Sequence, residues 1–350
     1  MISAMRLRMN LYWNNDAAMF EREIYMKKIA CCLSLFLILG VSVLLTGRKA
    51  VKAATPLDKW GQLRVSGTNI VSSKGKKVQL KGVSTHGIAW FPQYVNKSCF
   101  KSFRKMGANT IRLAFYSDPG AGYSTSLYGK VEEGIKYATE LGMYVIIDWH
   151  ILSDGNPKTN QSQALGLFTH FARKYGKQKN ILYEICNEPN GNVTWEKDIK
   201  PYANKVINRI RKYDKKNIII VGTPTWSQDV DVAAGSPLKQ KNLVYTLHFY
   251  AATHTDWIRD KLKKAHEAGL PVLVSEFNIC DASGNGGIDK SSGKKWMNLL
   301  NRYRIGYVAW NVSNKNETSS LIKASCKKTG GFTKRNLSKT GKWIVSWWKK

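Results

Sequence analysis

Acidic residues are scarce in this chain: 24 Asp and Glu stand against 55 Lys and Arg, a formal net charge of +31. The first 53 residues hold eight of the bases and three of the acids, so +26 remains beyond them. Such a surface attracts polyanions, and an anionic cell-wall polymer is an expected electrostatic partner. Nucleic acid is not, because the bases are spread as Lys along helices and turns with no zinc-finger or RNA-motif signature. Cysteine is also sparse. Cys31 and Cys32 fall in the N-terminal segment, and Cys99, Cys186, Cys280 and Cys326 show no Cys-x-x-Cys spacing, so no metal and no cofactor is expected. One bridge from Cys280 to Cys326, or four free thiols, are both open. Also missing are a Pro/Ser/Thr-rich linker, a low-complexity tract and a short repeat. Residues 54–350 therefore read as a single monomeric domain without a fused binding module.

The one long hydrophobic run lies at the start. Met26-Lys27-Lys28 precedes an apolar stretch from Ile29 to Leu45, and small residues follow through Val51-Lys52-Ala53. That is the pattern of a secretory signal, with Met26 as the expected start and residues 1–25 an upstream extension. Seventeen apolar residues are long for a signal core and just short of the ~20 that span a bilayer, so an uncleaved anchor is the alternative.

In the remainder, short apolar runs alternate with helical patterns, the signature of βα units. An opening hairpin is expected at Leu63–Val65 and Asn69–Val71. Eight strands follow: Val78–Val83, Asn109–Ala114, Met143–Asp148, Ile181–Ile185, Ile218–Gly222, Leu243–His248, Val272–Glu276 and Tyr307–Trp310. Helical periodicity appears between them, as in Tyr202, Val206, Ile210 and Tyr213, with Pro201 suited to a first turn. An open nucleotide-binding sheet would carry a Gly-rich turn after its first strand, and Gly82-Val83-Ser84-Thr85 is not one. The prediction is a closed (β/α)8 TIM barrel.

In such a barrel chemistry sits at the C-terminal strand ends. Glu188 follows the Ile181–Ile185 run and Glu276 closes Val272–Val274, and a carboxylate there is costly unless the site needs it. Around them Arg112 closes the second strand, Asp148-Trp149-His150 the third, His248-Phe249-Tyr250 the sixth and Trp310-Asn311 the eighth. Two carboxylates among polar and aromatic groups point to acid/base chemistry.

These residues carry a family resemblance. Val78-Gln79-Leu80-Lys81-Gly82, Tyr144 to His150, Tyr183 to Gly191 through Asn187-Glu188-Pro189, Trp226 to Val230, Leu247 to Tyr250 and Asp281 to Gly287 form an ordered set. From about Gly61 to Lys342 the chain resembles secreted bacterial endoglucanases of glycoside hydrolase family 5. The resemblance implies hydrolysis of internal β-1,4 bonds of cellulose and related β-glucans by retention, with Glu188 as acid/base and Glu276 as nucleophile. It implies that Arg112 and Tyr250 aim Glu276, Asn187 grips the sugar 2-hydroxyl, His150 and His248 order the sugar and Glu188, and Trp310 floors the cleavage point. His86, Trp90, Tyr116, Lys315 and Glu317 would contact the glycone side, and Trp226 the aglycone side. Glu184, mid-strand, is expected in a polar layer inside the barrel. Relatives commonly carry Trp-Gly where Phe277-Asn278 stand here, and a small residue where Cys326 stands.

Each assignment has a plainer alternative. Arg112 could be a rim ion pair, the histidines satisfied core groups, Trp90 and Trp310 packing, and Lys315 and Glu317 solvated loop charges. Competing functions are another β-1,4-glycanase on the same barrel (mannanase, xylanase or xyloglucanase) and a non-catalytic polysaccharide-binding barrel.

Overall fold

The computed structural model describes residues 19–34 and 53–349. The chain divides into two units, Met1–Ala53 and Ala54–Lys350. Of the first, residues 19–34 form an exposed helix, and the rest of the expected extension and signal lies outside the described residues. No helix among the described residues is long and apolar enough to cross a membrane.

The second unit opens with a helix, Pro56–Trp60, whose Thr55 and Asp58 form a capping box. Then comes the hairpin β1 (Arg64–Ser66) and β2 (Asn69–Val71), antiparallel. Eight parallel strands close the barrel: β3 (Lys81–Thr85), β4 (Thr110–Tyr116), β5 (Tyr144–His150), β6 (Ile181–Glu184), β7 (Ile218–Val221), β8 (Leu243–Tyr250), β9 (Val272–Asn278) and β10 (Tyr307–Val312). They pair in sequence order, with β10 returning to β3. Gly82 of β3 sits against the Thr110 carbonyl of β4, where any Cβ would collide. Pro201 stands in the first turn of the helix Lys200–Tyr213, whose missing N–H costs nothing there.

All eight expected strands exist, but their ends move. β3 begins at Lys81 rather than Val78, because Val78 and Leu80 instead plug the barrel's N-terminal end. There they pack with Leu63 and Ile70 of the hairpin region and with Tyr144, Ile146, Leu182, Ile220 and Leu273 from the strands. β4, β5, β8, β9 and β10 run two residues past their predicted ends. Arg112 is therefore mid-strand rather than closing its strand, and Glu276 lies inside β9 rather than at its end.

Inward positions change character along each strand. Ile146 precedes Asp148 and His150, Leu182 precedes Glu184, and Val244 precedes Thr246 and His248. Alternation lines one face with i, i+2 and i+4, so the barrel interior passes from an apolar plug to a charged layer within a few residues. β9 departs from this. Its register slips by one residue against both β8 and β10, between Leu273 and Glu276 on one side and Val274 and Phe277 on the other. The extra residue lets consecutive Ser275 and Glu276 both reach partners inside the barrel.

The four cysteines of this unit are unpaired and buried, so the Cys280–Cys326 bridge does not form.

Candidate active site

Above the charged layer lies an open groove of about 970 Å³. Eleven of the fourteen predicted site residues line it: His86, Trp90, Tyr116, His150, Glu188, Trp226, Tyr250, Glu276, Trp310, Lys315 and Glu317. Arg112, Asn187 and His248 stand behind them, fully or almost fully buried.

Arg112 is the hub. Its Nη1 donates to Glu276 Oε2 at 3.1 Å, its Nε to Glu184 Oε2 at 2.7 Å and its Nη2 to Asn187 Oδ1 at 2.6 Å, with Asp148 Oδ2 at 3.0 Å. Burial opposes its charge, yet Asp148, Glu184 and Glu276 hold its proton more tightly than usual. Glu276 Oε1 receives a second hydrogen bond from the Tyr250 hydroxyl at 2.8 Å. Burial and the Glu276 charge push the Tyr250 hydroxyl's ionisation up, so it remains a donor. Each Glu276 oxygen thus has one dedicated donor, which fixes the carboxylate's direction.

Glu188 reaches the groove differently. β6 ends at Glu184, and the following segment hydrogen-bonds along the end of β5, Asn187 N to Trp149 O and Glu188 N to Ile151 O. Its Oε1 lies 2.9 Å from His248 Nδ1, while His248 Nε2 lies 2.9 Å from Ser275 Oγ. Burial disfavours a charged His248, but the bonds to Glu184 and Glu188 outweigh it and raise its pKa to about 9. Ser275 in turn donates to Glu184 Oε1 at 2.6 Å, so His248 donates from both nitrogens. Glu184 is buried, yet Arg112 and His248 hold it at about 2. This is the polar layer expected of it.

Oxygens of Glu188 and Glu276 come within 4.8 Å of each other and of a His248 nitrogen. Such a triad has the proximity of metal ligands, but both His248 nitrogens are already committed, to Glu188 and Ser275.

His150 stacks on Trp310 at 5.1 Å and 12°, and its Nδ1 is 2.7 Å from Asp148. Burial, helped by the Arg112 charge, lowers it to about 3. It is neutral, with Nδ1–H on Asp148 and Nε2 an acceptor. His86, lowered by burial to about 4, accepts from Gly87 N at Nδ1, which leaves Nε2–H as its donor. Glu317 anchors Lys315 at 2.6 Å and itself accepts from Asn311 and Ser319. Trp90, 58 % exposed, is fixed by its indole N–H on Ala121 O.

Asn187 does not line the groove. Its Oδ1 is held by Arg112 and its Nδ2 donates to Ile151 O, so both of its polar side-chain atoms have partners within the protein. Among the groove residues outside the predicted set are His254 and Gln228. His254 accepts from Tyr250 N, a contact between residues four apart that a sequence pattern does not reveal.

The model of the family "Cellulase (glycosyl hydrolase family 5)" matches residues 71–316. The chain belongs to glycosyl hydrolase family 5. It is 44% identical over 328 residues to an endoglucanase of Clostridium saccharobutylicum, covering 93% of this chain and 72% of the relative. It is 44% identical to endoglucanase N of Pectobacterium atrosepticum over 83% of this chain, spanning 66% of that protein's length. Among solved structures, a cellulase superposes with TM-score 0.81 at 38% identity, over 85% of this chain and 95% of the other. The catalytic domain of a Thermobifida fusca endoglucanase, solved with cellotetraose, gives 0.80 at 35% identity over 85% and 100%.

The segment after Glu276 is tied closely to its neighbours. Phe277 stacks on Phe249, which lies flat on Trp296 at 3.9 Å. Asn278 Nδ2 donates to the Trp310 and Ser319 carbonyls, and its Oδ1 accepts from Ile279 and Cys280 N–H groups. These residues tie the Glu276 strand to the Trp310 segment.

Proposed function

We propose that this enzyme is a retaining endo-β-1,4-glucanase, cleaving internal bonds of cellulose and related β-glucans in the open groove. The carrying observation is the approach of Glu188 and Glu276 within 4.8 Å. Carboxyl groups about 5 to 5.5 Å apart suit double displacement, whereas inversion needs about 6.5 to 9.5 Å to seat a water.

In the first step Glu276 attacks the anomeric carbon while Glu188 protonates the departing glycosidic oxygen. Arg112 and Tyr250 hold Glu276 as a carboxylate with its lone pair aimed. His248 occupies Glu188 Oε1 as donor, which reserves Oε2 for the proton in flight. In the second step Glu188 takes a proton from water, and that water displaces Glu276 from the sugar. Trp310 supports the apolar face of the reacting sugar over neutral His150, Trp90 and His86 extend the glycone side, and Lys315, fixed by Glu317, supplies a directed cation there. Asn187 positions Arg112 from below.

Trp226 forms the aglycone platform. Thr225, Trp226 and Ser227 all have φ between 53° and 56°, a left-handed run that costs about 1 to 2 kcal/mol per non-glycine residue. Bonds from Trp226 N to Pro189 O and from Thr225 to Asp229 hold it. Strain retained beside a groove, with the indole 43 % exposed, supports a binding role.

Assay of reducing ends from carboxymethylcellulose, barley glucan, mannan and xylan, with product sizing, tests this reading. Mixed oligosaccharides from the glucans are expected; release confined to mannan or xylan makes it another β-glycanase. We read the enzyme as a secreted monomer, exported by its N-terminal signal, with its +26 charge holding it near anionic wall polymers.

A further inference from the structure

At the opposite end of the barrel lies a second recess, of about 730 Å³. Lys59, Lys76, Lys77, Arg104, Lys105 and Arg304 line it, and no carboxylate does among the described residues. None of these six forms an ion pair among the described residues.

Helix C-termini explain part of this. Arg104 and Lys105 are in the last turn of the helix Lys97–Met106, where a cation offsets the dipole. Lys76 and Lys77 lie between β2 and β3 and have no such reason. One further observation points to an anion site. Trp348, 4 % exposed, lines the recess and buries an Nε1–H with no acceptor among the described residues, and Arg104 Nε is likewise buried without one.

We infer that this recess binds a carboxylate-bearing polysaccharide, a uronate chain, as an anchoring site separate from the hydrolytic groove. Trp60, stacked on Tyr144 at 6.3 Å, brings an aromatic surface into the same recess, and a sugar ring with a carboxylate uses both ring and cations. A stiff nucleic-acid duplex fits a bounded recess less well than a single narrow chain. The cations lie at the far end of the strands from Glu188 and Glu276. A wall-bound enzyme would then keep its groove facing away from the anchor.

The test measures binding of polygalacturonate to the full chain at low salt and at 0.5 M NaCl, with double-stranded DNA as the rival probe. The Lys76→Ala/Lys77→Ala/Arg304→Gln variant is compared with Lys212→Ala/Lys215→Ala/Lys216→Ala, which removes the same charge from exposed sites outside the recess. The recess variant should lose about tenfold or more in affinity and much of the salt dependence, the control less than about twofold, since only close charges escape screening. Both should melt like the parent and hydrolyse soluble β-glucan at the parental rate. Equal losses in the two variants, no binding by the parent, or DNA bound as tightly as polygalacturonate through the same residues would each overturn the inference. None of these outcomes depends on the groove's catalytic reading.

Discussion

The two ends of one barrel do opposite things with the same strands. At the N-terminal end, inward side chains such as Ile146, Leu182, Val244 and Leu273 form a dry plug closed by Leu63, Ile70, Val78 and Leu80. Two residues further on, the same strands present Asp148, Glu184, Thr246 and Ser275, a layer in which Arg112 and His248 are shared among carboxylates. The plug secures the fold, and the layer spends burial on orientation. Four carboxyl groups and two cations packed out of water gain little stability over an apolar core, so their value lies in aiming Glu188 and Glu276.

Separating the two ends by mutation should therefore separate activity from stability. The largest effect is expected for Glu276→Gln, a loss of about 10⁴-fold or more in kcat while oligosaccharide binding and the melting temperature stay near parental. Near-normal turnover would remove Glu276 from the nucleophile's place. Arg112→Met should damage both properties, because it leaves Glu184, Asp148 and Glu276 buried without their cation; breaking such a cluster costs about 3 to 5 kcal/mol in denaturant titration. In the plug, Leu182→Ala should cost about 2 to 5 kcal/mol yet leave kcat almost unchanged. A kcat loss matching that of Arg112→Met would mean the two ends are not independent.

The polar end also predicts how stability varies with pH. His86, His150 and His254 are held down to about 4, 3 and 4, all chiefly by burial, so they are neutral when folded but take protons near pH 6.5 when unfolded. Their contribution is present above 6.5 and is lost as pH falls towards 4. His248, raised to about 9, does the reverse: its contribution is whole below 6.5 and is lost as pH rises to 9. Asp148, raised well above the usual carboxylate range chiefly by burial, likewise loses its contribution as pH rises. With each proton worth about 1.4 kcal/mol per pH unit, urea midpoints should fall on both sides of about pH 6.5. His248→Gln should flatten the alkaline limb alone. The smallest effect is expected at the rim, where Trp226→Ala should raise KM for long glucans about threefold to tenfold with kcat retained.

The plug was easier to read in the sequence than the layer. Its apolar runs marked all eight strands and the hairpin, since periodicity reports burial directly. Polar inward residues interrupt those runs, so the predicted strands stop at Ala114, Asp148 and Glu276, two residues before the pairing ends. The one-residue slip in β9, which turns Ser275 and Glu276 to the same side, has no marker in Val272-Leu273-Val274-Ser275-Glu276. Nor does the embedded position of Asn187, whose partners come from β4 and from Ile151 just beyond β5. Glu188 and Glu276 were legible because a carboxylate after a buried run needs a reason.

Retention is the claim on which the roles of both carboxylates depend. Proton NMR of a β-glucan digest, recorded in the first minutes before mutarotation, reports the anomer released. The β-anomer appearing first is the predicted result; the α-anomer first would contradict double displacement and the pairing of Glu188 with Glu276 that it rests on.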